Sequence, residues 1–143
     1  MKRHNGFTLI EMIIVIVILG ILSIAAAPRF FDIISQARIA TLQGIKGSMQ
    51  GAADIANAKS LIENITDGFL SNGVKIVHGY PTADPDGIIL AVDVDGDLFK
   101  LMIKPSDADI AWGFSPTATT CYVGYSAPSA PGETATTIVN TDC

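Results

Sequence analysis

The distribution of apolar and polar positions divides the chain in two. From Phe7 to Ala27 the sequence FTLIEMIIVIVILGILSIAAA is apolar apart from Thr8, Glu11 and Ser23, a run of about 21 residues where spanning a bilayer as a helix takes about 20. After Pro28 the positions Phe30 or Phe31, Ile34, Ala37, Thr41, Leu42, Ile45, Met49, Ala52 and Ile55 or Ala56 recur near helical spacing, with Arg29, Asp32, Arg38, Lys46, Asp54 and Lys59 between them. The pattern predicts an apolar helix over 7–27 continuing as an amphipathic helix over 28–60, with a kink at Pro28, where a backbone donor is lost. Gly44, Gly47 and Gly51 sit in the amphipathic half, where each costs about 1 kcal/mol relative to Ala. They predict either close packing of that surface on the head or on a neighbour, or local fraying.

From Leu61 the helical period fades, and turn signals follow at Asp67-Gly68, Asn72-Gly73, Asp86-Gly87 and Asp95-Gly96. The clearest expected unit is a hairpin of 88–94 and 97–103 about Asp95-Gly96. In that register Leu90, Val92 and Val94 share a face with Phe99, Leu101 and Ile103 and cover the amphipathic helix. The expected fold is therefore α+β: a long N-terminal helix as spine, packed on a small antiparallel sheet head over 61–143. The tail from Pro105 onward, rich in Ser, Thr, Ala and Pro, is expected to add little core, with Trp112, Phe114, Tyr122 and Tyr125 as its anchors.

At 143 residues there is room for one domain. The net charge is −5, and no Lys or Arg follows Lys104, which argues against nucleic-acid binding by a single subunit. Lys2 and Arg3 precede the apolar run and predict a cytoplasmic N-terminus, with the remainder on the far side of the membrane. Ala25-Ala26-Ala27 resembles a secretory cleavage site. However, the run exceeds the usual h-region of roughly 7 to 15 residues, holds a carboxylate, and would leave Pro28 first after the cut. Cys121 and Cys143 are the only cysteines and lack C-x-x-C spacing, so a structural disulfide in an oxidising compartment is the economical reading.

Glu11 carries the most specific chemistry. A carboxylate in a spanning segment costs on the order of 2.5 to 3.5 kcal/mol and marks a function unless it snorkels to the headgroups. Asp93, Asp95 and Asp97, helped by Asp84 and Asp86, are weak calcium candidates. Gly96 is misplaced for an EF-hand and Lys104 stands where its bidentate acid belongs, so a solvated turn is the competing reading. His78 has no motif around it, and Asn64-Ile65-Thr66 fits a glycosylation acceptor only by a short match. No nucleophile stands with a base and no metal cluster is evident, so no enzyme activity and no cofactor are expected.

Gly6-Phe7-Thr8-Leu9-Ile10-Glu11, behind a short basic leader and ahead of an uninterrupted apolar helix, resembles the signal of type IV pilins. The resemblance implies cleavage between Gly6 and Phe7 by a prepilin peptidase, which removes residues 1–6, and N-methylation of Phe7. It also implies retention of the apolar helix as the assembly element, with Glu11 paired to the Phe7 amine of a neighbouring copy. The expected partners are other copies of the chain in a helical filament and the inner-membrane assembly machinery, and the expected location passes from inner membrane to extracellular pilus. A disulfide near the C-terminus, here Cys121 with Cys143, bounds the outward-facing variable loop in that family. Within it, the Phe7 to Met12 start and small closed head are similar to mannose-sensitive haemagglutinin pilins, implying adhesion and biofilm formation. A pseudopilin of a type II secretion system is the alternative, and some of those bind calcium in their heads.

Overall fold

The computed structural model describes residues 7–92, 94 and 98–143. Its first element is α1, Leu9–Glu63, 55 residues long. The chain divides after Ala37 into two compact units. In the first unit the large apolar side chains from Phe7 to Ile24 are exposed on every side of the helix. The stretch Leu9–Ala26 has a mean hydropathy of 2.9 and is long and apolar enough to cross a membrane. A helix that is apolar and exposed all round suits lipid or other helices.

In the second unit the rest of α1 is one wall of the head. Leu42, Met49, Ala53 and Ala56 are buried at spacings of seven, four and three, a single stripe of the helix. The helix stops at Glu63 because Asn64 takes a left-handed conformation, φ 54°. The Ile65 N–H then bonds the Ser60 carbonyl at 3.0 Å and the Asn64 N–H the Leu61 carbonyl at 3.4 Å. This is a Schellman cap, and Asn is among the few residues besides Gly that tolerate it. The Asn64-Ile65-Thr66 triplet is thereby accounted for as a helix stop.

Two antiparallel sheets follow. The smaller comprises β1 (Gly68–Phe69), β2 (Lys75–Val77) and β3 (Tyr80–Pro81), in that order. Asn72-Gly73 turns β1 into β2, and His78-Gly79 turns β2 into β3 with φ of 50° and 85°, as a two-residue primed hairpin turn requires. A one-turn helix, α2 (Ile88–Ala91), leads to the larger sheet: β4 (Phe99–Lys100), β5 (Ile110–Gly113), β6 (Tyr122–Ser126) and β7 (Thr136–Asn140), again in chain order.

The alternation of strands β5 and β6 decides which face meets the helix. Ile110, Trp112, Val123 and Tyr125 join Leu42, Met49, Ala53, Ile88 and Val92 in the main core. On the opposite face Leu101, Ala111 and Tyr122 form a smaller cluster with Ala118 and Ile138. Gly124 belongs to that opposite face: a Cβ there would lie 2.5 Å from the Ala108 Cβ, so only glycine lets the Ala108 segment cross the sheet so closely. The α+β architecture is the expected one.

Three details of the expectation are corrected. Among the described residues the hairpin of 88–94 with 97–103 is not formed: Ile88–Ala91 is helical, and Phe99 and Lys100 pair with Gly113 and Trp112, while the expected turn at Asp95-Gly96 lies outside the described residues. An unbroken run such as Ile88 to Val92 has no period of its own, and one helical turn places both Ile88 and Val92 in the core while Leu90 stays exposed. Consequently Phe99 and Ile103 are exposed too, and Leu101 packs on the face away from the helix. Secondly, the tail supplies β5, β6 and β7 and much of the core, because its few large residues alternate in step with the pleat while Ser, Thr, Ala and Gly fill the remaining positions. Thirdly, a Cβ on Gly44, Gly47 or Gly51 would meet nothing within 4 Å. The close packing expected there on the head is therefore not made, among the described residues, while packing on a neighbouring copy stays the expectation for this surface.

Tyr125 ties the two sheets together. It is fully buried, and its hydroxyl donates to the Pro81 carbonyl at 2.7 Å; burial holds the phenol above the ordinary tyrosine range. Tyr125→Phe leaves that carbonyl without this donor in an apolar setting and should lower stability by about 1 to 3 kcal/mol. A shift of the urea midpoint at unchanged slope, measured on the full chain in detergent, checks it.

Candidate assembly site

The N-terminal site is built by the first turn of α1. Phe7 lies outside the helix and is exposed, and Thr8 precedes the first helical residue. The four amides opening a helix have no partner within it, and here Thr8 and Glu11 supply one to each other. The Thr8 N–H donates to Glu11 Oε2 at 2.9 Å, the Thr8 hydroxyl donates to the same oxygen at 2.6 Å, and the Glu11 N–H donates back to the Thr8 hydroxyl oxygen at 3.4 Å. This is a capping box. All three bonds leave Oε1 without a partner among the described residues. Gly6 lies outside the described residues.

Thr8 was not singled out from the sequence, although the signal was there: Thr-x-x-Glu before an apolar run is the one-line signature of this cap. Seen by its apolar surroundings alone, Glu11 is an isolated charge in need of a cation. In the folded chain that carboxylate is already half satisfied by its own helix start.

A second feature closes the head. Cys121 and Cys143 are joined by a disulfide across a Cα–Cα distance of 4.7 Å. Cys121 directly precedes Tyr122 and Cys143 follows shortly after Asn140, the pair that ends the β6–β7 ladder, so the bond staples the open end of a hairpin whose tip is 127–135. At that tip Glu133 accepts the N–H groups of Ser129 and Ala130 at 3.0 and 3.1 Å. Nearby, the Tyr122 hydroxyl donates to Asp107 at 2.7 Å, and Lys104 pairs with Asp109 at 2.8 Å.

Of the calcium candidates, Asp93, Asp95 and Asp97 lie outside the described residues. Asp84 is committed elsewhere: Oδ1 accepts from the Thr82 hydroxyl and the Asp86 and Gly87 amides, and Oδ2 from Lys75. Partial burial pushes its carboxyl up, and these hydrogen bonds outweigh that to leave it below the ordinary range. Among the described residues no group of three or more His, Cys, Asp or Glu is arranged to hold a metal ion.

His78 sits in the β2–β3 turn. Its N–H donates to Asp67 at 3.0 Å, and its Nδ1 lies 3.8 Å from the same oxygen. The His78 amide and the Thr66 hydroxyl hold Asp67 below the ordinary carboxylate range. Glu63 is likewise lowered, first by the Ser71 hydroxyl and amide. Such depressed groups stabilise the fold above their unfolded values, about 3.9 for Asp and 4.3 for Glu, and that contribution is lost as the pH falls through the lower folded values. Urea midpoints recorded from pH 6 downward should therefore hold to about pH 4 and then fall. With Asp67→Asn the acid-side fall should be shallower.

Comparison with known proteins locates the same segment. Residues 1–27 match the prokaryotic N-terminal methylation motif. The chain is 45% identical over 58 residues to a type IV narrow pilus major component of Thermus thermophilus, covering 41% of this chain and 50% of that one. A fimbrial protein of Eikenella corrodens is 28% identical over 147 aligned positions, 93% of this chain and 96% of the relative. The type II secretion system core protein G of Pseudomonas aeruginosa is 29% identical over 104, covering 73% and 69%. Thus the match to the Thermus protein spans half its length, while that to the Eikenella protein spans nearly all of it. No solved structure matches. The chain is thus similar to type IV pilins in its N-terminal segment, and it has an apolar N-terminal helix and a disulfide-closed head. More particularly, it is similar to fimbrial and pilus structural components rather than to enzymes.

Proposed function

We propose that this chain is the structural subunit of a type IV pilus. A prepilin peptidase removes residues 1–6 by cutting between Gly6 and Phe7, and the new Phe7 amine is methylated. Residues 7–27 anchor the subunit in the inner membrane with the N-terminus cytoplasmic, 28–60 form the amphipathic half of the spine, and 61–143 form the head. Assembly extracts the helix from lipid and packs it among copies in an extracellular filament. The observation that supports this most is the methylation motif over residues 1–27 lying directly on a helix whose apolar side chains are exposed all round. Such a helix needs two successive environments, and lipid and then other helices are the two that suit it.

Surface attachment and biofilm formation are the role assigned to that filament, on the resemblance of the Phe7 to Met12 start and the small closed head to mannose-sensitive haemagglutinin pilins. The similarity to core protein G over 73% of this chain favours a second reading, a pseudopilin of a type II secretion system. Deletion of the gene discriminates the two. Lost fibres and attachment with normal secretion support the pilus, whereas a secretion defect with normal attachment supports the pseudopilus.

Processing is tested by intact-mass spectrometry of membrane and filament fractions. The expected species starts at Phe7 and carries one added methyl group. A chain starting at Pro28 would mean an ordinary secretory signal and end the pilin reading, and an intact Met1 in assembled fibres would remove the processing step.

A further inference from the structure

We infer that the Glu11 carboxylate does two separate jobs with its two oxygens, and that Thr8 is the positioning residue that divides them. The inference rests on the filament reading above and deepens it. Both bonds from Thr8 end on Oε2, and the Thr8 hydroxyl is used in both directions, as donor to Oε2 and as acceptor of the Glu11 N–H. A hydroxyl held this way fixes the carboxylate against its own helix start and restricts the rotamers open to it. Oε1, with no partner among the described residues, is the oxygen left to accept from an incoming cation.

The Thr8 N–H is a peptide amide in the precursor and remains one after cleavage at Phe7, because the bond between Phe7 and Thr8 is not the one cut. The cap therefore survives processing. It provides polar partners for the carboxylate in the unassembled subunit, where no neighbour supplies a cation, and so reduces the cost of holding Glu11 in the membrane. On assembly, the neighbour's Phe7 amine meets an acceptor already aimed and immobilised, so less conformational entropy is lost when the pair forms. Freed of Thr8, Glu11 would have more rotamers, among them those reaching its own headgroup region.

The two jobs are separable by substitution. Glu11→Gln keeps a side-chain oxygen that can accept in the capping box but removes the charge. Thr8→Val keeps shape and charge but removes the hydroxyl, and Thr8→Ser restores a hydroxyl. Each variant of the full chain is followed in two ways. Exchange of the two capped amides, Thr8 held by the carboxylate and Glu11 held by the hydroxyl, is measured on the mature subunit in detergent micelles, and filaments are counted by electron microscopy at equal levels of processed subunit.

Thr8→Val should exchange roughly fivefold faster in this first turn, the effect of a typical cap, and give severalfold fewer filaments, with Thr8→Ser returning both readings toward wild type. Glu11→Gln should keep near-wild-type protection yet form almost no filaments. Filament counts unchanged in Thr8→Val would overturn the positioning role, and Glu11→Gln exchanging as fast as Thr8→Val would overturn the division between the oxygens. If the wild-type chain forms no filaments, the filament reading fails by itself, while the exchange measurements still decide whether Thr8 and Glu11 cap the helix as described.

Discussion

Glu11→Ala is expected to abolish filament growth while processed subunit still accumulates in the membrane. The substitution makes the spanning segment more apolar, so insertion is helped. In the proposed filament it would remove the acceptor for the Phe7 amine of the next subunit and leave that amine unpaired in a water-poor packing, which costs about 3 to 5 kcal/mol for a broken buried pair. At about 1.4 kcal/mol per factor of ten, each addition step is weakened by two orders of magnitude or more. The first turn of α1 also loses its cap, since Oε2 is what the Thr8 amide and hydroxyl reach, but Ala is a good helix former and the loss stays local. Fibre number and length by electron microscopy, at subunit levels equalised by immunoblot, provide the measurement. Fibres of normal length and number would show the carboxylate to be a bystander.

Removing the disulfide should give the largest change in the head. Cys121 and Cys143 are 22 residues apart in sequence, and in the chain-entropy model such a loop contributes roughly 3 kcal/mol through the unfolded state. The β6–β7 ladder from Tyr122↔Asn140 to Ser126↔Thr136 does not depend on the bond, and Val123 and Tyr125 remain in the core. The Cys121→Ser, Cys143→Ser chain should therefore fold with a urea midpoint lowered by up to that amount, its last residues after Asn140 losing protection first. Filaments or attachment should fall with it, and protein secretion should not. An unchanged midpoint would show that the paired hairpin already supplies the constraint, and two free thiols on alkylation of the mature protein would remove the bond itself.

The N-terminal half was legible because its signals are one-dimensional. A run of uninterrupted apolar residues, a carboxylate within it and a helical period after it need no partner to be read, and the helix, its exposed apolar face and the α+β class follow from them. Even the capping box was written there, since Thr8 and Glu11 are three positions apart on one turn. Its presence still had to be seen in three dimensions to show that both bonds fall on a single oxygen.

The head was decided by tertiary structure. Ile88 to Val92 is apolar throughout, so helix and strand satisfy it equally until the core to be filled is known; one turn of helix delivers Ile88 and Val92 to it together. Residues 105–143 read as too polar to build a core, because composition averages over two faces. Only pairing in the observed register puts Ile110, Trp112, Val123 and Tyr125 on the helix side and leaves Ala111, Gly113 and Gly124 to the other. Sequence determines such a segment's alternation locally, but which face is buried depends on what lies against it, and that is a property of the packed chain alone.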